Sequence, residues 1–65
     1  MPVSLKQKRL IFGYTQQEIA KMLDISYYSY NKKEKGNSKW NLKEANKLKI
    51  IFNLTPEEVI YYFFS

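Results

Sequence analysis

The sequence predicts an all-α domain of five short helices, and three observations carry that reading. First, a capping residue followed three positions later by Glu recurs at Thr15–Glu18, Asn41–Glu44 and Thr55–Glu58. That spacing lets the two residues satisfy each other's free backbone N–H groups at a helix start. Second, apolar residues between these starts repeat at three- and four-residue intervals, the spacing of one helix face. Third, no run alternates apolar and polar residues between turn glycines, so no sheet is expected.

The elements follow in order. Ser4 precedes a segment that Gly13 closes, which gives a first helix at about 5–12; Gly is favoured just past a helix end because it tolerates a left-handed backbone. Thr15 and Glu18 open a second helix at about 16–23, with Ile19 and Leu23 on one side. A third start lies at Ser26, after Asp24 and Ile25, and gives a helix at about 27–34. Asn41 opens a fourth at about 42–52, with Leu42, Ala45, Leu48 and Phe52 in one stripe. Thr55 opens a fifth at about 56–63, with Pro56 at its first position, where a missing N–H costs nothing. Pro56, Val59, Ile60 and Phe63 form its stripe.

Composition bounds the function. Sixty-five residues make one domain, and a domain of this size buries only about 60% of the surface its unfolded chain exposes. The chain has no Cys and no His, so neither a disulfide nor the usual structural metal reinforces it. The net charge of +5 favours polyanionic partners, nucleic acid before anionic lipid. The expected setting is cytoplasmic: no apolar run is long enough to span a bilayer, the first residues lack the pattern of a secretory signal, and cysteine is absent.

The motif that carries function is TQQEIAKMLDISYYSYNKKEKG, residues 15–36. Two short helices flank a turn at Asp24-Ile25-Ser26. Ala20, small and mid-way along the first, lets the second cross closely, and Ile19, Leu23, Ile25 and Tyr30 fill the angle between them. This is the steric recipe of a helix-turn-helix unit, with its core at 16–34. Arg9, Thr15, Gln16, Glu18, Ile19, Ala20, Leu23, Ile25, Ser26, Tyr30, Glu34 and Gly36 together resemble the signature of the phage repressor and Cro-type helix-turn-helix family, also called the xenobiotic-response-element family. The likeness extends to NLKEANKLKIIFNLTPEEVI, which is similar to the two closing helices of that family. It implies a compact five-helix, lambda-repressor-like DNA-binding domain acting as a Cro- or repressor-like transcription regulator, bacterial or phage-encoded. Two positions depart. Asp24 stands where the family usually has Gly, and Asp visits the left-handed region more readily than most residues. Lys33 stands where an apolar residue is usual, and its methylene stem is expected to cover the core while its ammonium reaches solvent.

With Tyr30 facing the core, the opposite side of the third helix carries Tyr27, Tyr28, Asn31, Lys32 and Lys35. The resemblance implies base contacts from Tyr27, Tyr28 and Lys32, and a phosphate contact from Gln16, beside which Gln17 sits. Lys32 suits guanine O6 and N7, Asn31 suits adenine, and a Tyr ring suits a thymine methyl. Lys32, Lys35, Asn37, Ser38 and Lys39 would continue along the phosphate backbone. The resemblance also implies an Arg9–Glu34 ion pair that is structural, not DNA-contacting.

The other readings of these residues stay open. A Tyr-Tyr pair on a surface helix also suits a protein-binding patch, and a lysine run also suits a solvated loop. At the C-terminus, Tyr61, Tyr62 and Phe64 are expected as apolar surface, either core edge or a homodimer interface. In the resembling family, dimers bind half-sites about 34 Å apart. No catalytic set is visible: His and Cys are absent and most acids are committed to caps or to Arg9, so no enzyme activity, metal, cofactor or small-molecule ligand is expected. The alternative function is a protein-interaction module of the same fold, an antitoxin or antirepressor.

Overall fold

A computed structural model describes residues 3–64. Five α-helices, α1 (Leu5–Ile11), α2 (Gln16–Met22), α3 (Tyr27–Glu34), α4 (Leu42–Ile51) and α5 (Pro56–Val59), are followed by a π-helical turn, Ile60–Phe64. The domain measures 27 × 23 × 18 Å, and no strand occurs among the described residues.

Each helix start is fixed by side-chain chemistry. Ser4, Thr15, Asn41 and Thr55 form full capping boxes with Gln7, Glu18, Glu44 and Glu58. Ser26 caps α3 by accepting from the Ser29 N–H at 3.1 Å. The first four helices end on one device. Gly13, Asp24, Gly36 and Asn53 all adopt positive φ. After each of them the chain turns back, so that Tyr14 N donates to Arg9 O, Ile25 N to Ala20 O, Asn37 N to Lys32 O and Leu54 N to Lys49 O. These bonds satisfy carbonyls that a helix end leaves free. Three of the four returning residues, Tyr14, Ile25 and Leu54, then enter or edge the core. Asp24 thus takes the left-handed conformation expected of it, with φ 58°. Asn53 does the same, at a helix end where the sequence carries no glycine to mark it.

The core gathers Leu5, Ile19, Ala20, Leu23, Tyr30, Leu48, Phe52 and Leu54, with Trp40, Val59, Tyr62 and Phe63 packed against it. Buried Ala20 lies on α2, which packs directly on α3. Two expected stripes shift. Leu42 is exposed, so the α4 stripe begins at Ala45; Leu42 is the first residue of the helix and points past the core. At the C-terminus Ile60 faces outward, and Tyr62 and Phe63 turn in beside Val59. The cause is the π turn, which widens the helix at Ile60 and redirects each side chain after it. Phe63 then meets Trp40 edge-on at 6.0 Å, and the Tyr62 hydroxyl donates to the Val3 carbonyl.

Lys33 also departs from expectation. Its ammonium does not run to solvent but bonds Glu44 Oε1 at 2.6 Å, passing over the Trp40 ring. Glu44 is buried and simultaneously accepts from the Asn41 N–H, so one carboxylate caps α4 and fixes α3 to it. Glu58 has the same double role with Lys8, at 2.8 Å. The Lys8 hydrogen bond, aided by the Thr55 N–H, holds the Glu58 carboxyl below its ordinary range.

Candidate nucleic-acid interface

The α2–α3 pair positions the site. Its inner support is a chain of polar bonds running across three helices. Arg9 is buried; its Nε lies 3.3 Å from Glu34 Oε2 and its Nη2 3.2 Å from Glu34 Oε1. Its Nη1 donates to the Tyr14 carbonyl at 2.8 Å. Glu34 Oε2 accepts from Gln16 Nε2 at 3.2 Å, and Gln16 Oε1 accepts from Asn31 Nδ2 at 3.2 Å. Because Glu34 can only accept when ionised, it dictates which way the Gln16 amide points, and Gln16 in turn orients Asn31. The Arg9–Glu34 pair is therefore structural, as expected, and it extends further than the sequence indicated. Tyr30 lies wholly inside, beneath this chain, with its hydroxyl unpartnered among the described residues. Burial, and then the charge of Glu34, push its phenol well above the ordinary range.

The outward side of α3 is different in character. Tyr27 is 50% exposed and Tyr28 70%, while Lys32 and Lys35 are also exposed. The Lys32 ammonium sits 5.4 Å from the centre of the Tyr28 ring, one helical turn away. Asn31 is half-buried and committed to Gln16, so it belongs to the flank of the helix rather than its crest. The sole acid of α3, Glu34, is turned inward, leaving the crest cationic and aromatic.

The predicted residues fall into three places. Gln16, Gln17 and Tyr27 line one shallow concavity with Arg9, Gly13, Tyr14 and Thr15. Tyr28 and Lys32 form the crest of α3, with Lys35 beyond them. Asn37, Ser38 and Lys39 are exposed in the α3–α4 connection. Lys39 also borders a second groove whose far wall is Tyr61, Tyr62, Phe63 and Phe64. Of the three C-terminal residues expected at the surface, Tyr61 and Phe64 are exposed, but Tyr62 is half-buried. Trp40 carries no sequence signal of its own, yet it joins the core to the C-terminal turn. It meets Tyr30 at 5.7 Å and Phe63 at 6.0 Å. A lone Trp in a loop carries no periodicity, so only its packing reveals it.

Charge is distributed to match. Three ion pairs, Lys8–Glu58, Arg9–Glu34 and Lys33–Glu44, engage three of the six acids and three of the 11 cations. The lysines outside those pairs include Lys32, Lys35 and Lys39 along α3 and its exit. No cluster of potential metal ligands occurs among the described residues, and no helix there is long and apolar enough to cross a membrane.

Fold and site together define a small all-helical domain organised around a helix–turn–helix pair. The model of the BetR domain matches residues 4–62, and the chain belongs to the BetR domain family. No curated protein and no solved structure gives a significant match.

Proposed function

We propose that this domain binds double-stranded DNA sequence-specifically, inserts α3 into the major groove and acts as a transcription regulator of the repressor or Cro type. The observation that carries the reading is the crest of α3: two exposed tyrosines and two lysines without a carboxylate among them. Gln17, Tyr27 and the second amide hydrogen of Gln16, around the shallow concavity, take the phosphates on one side of the groove. Lys35, Asn37 and Lys39 follow the backbone on the other side. Such contacts set register and much of the affinity, while base edges set sequence choice. The likeness of residues 15–36 to the Cro-type signature supports the same conclusion.

Selection from random duplexes followed by a salt titration tests it. With about four to six phosphates neutralised, log K falls against log salt with a slope near −4 to −5. Absence of binding to any selected duplex at low ionic strength overturns it. A second reading is favoured by the exposed Ile60, Tyr61 and Phe64 at the π turn: an apolar edge of this kind suits a second copy of the chain or another protein. A protein contact through these residues, or through Tyr27 and Tyr28, persists at high salt, which separates it from DNA binding.

A further inference from the structure

Resting on the DNA-binding reading, we propose that Tyr28 and Lys32 act as a single unit that recognises a thymine and a guanine at adjacent positions in the major groove. Three observations isolate this pair. Asn31, the other side chain suited to a base edge, donates its amide to Gln16, which is itself held by Glu34. Lys33 is tied to Glu44. Tyr27 lines the concavity with Gln16 and Gln17, on the phosphate side. What is left at the crest is the Tyr28 ring, 70% exposed, with the Lys32 ammonium 5.4 Å from its centre.

The chemistry of the two groups selects the bases. An ammonium has only donors. Guanine offers it two acceptors, N7 and O6, whereas adenine sets an amino donor beside its N7, and cytosine presents only a donor. The flat ring needs an apolar neighbour, and the thymine methyl is the apolar group that the groove presents. Successive bases on a strand are about 3.4 Å apart, so an ammonium and a ring edge this close together span neighbouring bases rather than distant ones. The cation–π contact holds the lysine near the ring before DNA arrives, which reduces the freedom lost on binding.

The test uses the duplex obtained by selection and base analogues that change one groove atom or group at a time. Deoxyuridine in place of thymine removes only the methyl, and 7-deazaguanine removes only N7. Wild-type chain is expected to lose about tenfold in affinity with each analogue. Tyr28→Ala should bind the thymine and deoxyuridine duplexes equally, and Lys32→Met should bind the guanine and 7-deazaguanine duplexes equally. Each variant should also lose most of its response to the other analogue, because the two side chains work as one. Melting curves confirm that both variants are folded, which substitution at exposed positions permits. Specific binding in which neither analogue affects the wild type, or in which the variants respond as the wild type does, overturns the Tyr28–Lys32 assignment and leaves DNA binding standing. Failure of every duplex to bind overturns both.

Discussion

Arg9 and Tyr30 sit side by side in the interior and have opposite accounts. Arg9 answers the Glu34 carboxylate and the Tyr14 carbonyl, so Arg9→Ala strands a buried charge and an acceptor at once. Removing one partner of a buried pair costs about 3–5 kcal/mol. A chain of this length has a total stability of roughly 3–10 kcal/mol. Arg9→Ala is therefore expected to lose a large part of its stability and to melt well below the wild type by circular dichroism, and a melting curve like that of the wild type refutes this role. Tyr30, in contrast, carries a hydroxyl without a hydrogen-bond partner among the described residues. Tyr30→Phe removes an unsatisfied polar atom and keeps the ring against Trp40, so stability should rise by about 1 kcal/mol. The same variant has a pH signature. The native phenol keeps its proton above the ordinary value of 10.0, where the unfolded chain releases it. Stability from this group is complete below pH 10 and declines as pH rises beyond it. Tyr30→Phe should flatten that alkaline decline in denaturant titrations, and an unchanged profile counts against the assignment.

At the level of the helix, the ends decide more than the middles. Seven- and eight-residue helices are too short to persist alone. Reciprocal caps at four starts and left-handed turns at four ends define where each begins and stops. Asp24 and Asn53 occupy left-handed positions with a Cβ, at a cost of up to about 1–2 kcal/mol per residue, less for Asp and Asn. Asp24→Gly is therefore expected to raise stability by about 0.5 kcal/mol, the relief exceeding the added freedom of the unfolded chain. Gly13→Ala should lose about 1 kcal/mol, and entirely through the backbone, because a Cβ there meets no atom within 4 Å. Thermal melts that reverse the order of these two variants contradict the account of the turns.

Across the whole molecule, electrostatics pull stability and the proposed DNA binding in opposite directions. The ion pairs that organise the interior are buried or nearly so, with side-chain exposure of 19% or less. Salt screens them weakly. The remaining lysines repel one another across the surface of a chain with net charge +5, and salt screens that repulsion well. Raising the salt from 50 to 500 mM should thus raise the melting temperature, whereas the DNA binding proposed above should weaken over the same range. A melting temperature that falls with salt shows that the surface, not the interior, holds the stabilising pairs. The same division leaves the α3 crest free of carboxylate: Glu34, its only acid, and Glu44 beside it are both used inside.

The sequence by itself determined what depends on near neighbours. Capping pairs three residues apart placed the starts of α2, α4 and α5, glycine placed the end of α1, and the small Ala20 marked the α2–α3 crossing; all of these stand. The inward turn of Arg9 and Glu34 was legible only through the family resemblance. Tertiary structure alone decided what depends on residues far apart in the chain. Lys33 went to Glu44, Asn31 to Gln16, and Trp40 to the space between Tyr30 and Phe63. The π turn brought Tyr62 inward and sent Ile60 out. The physical reason is range: a cap or a helical turn is set by atoms a few residues away, whereas a buried side chain takes whichever partner the packing of other helices brings within reach.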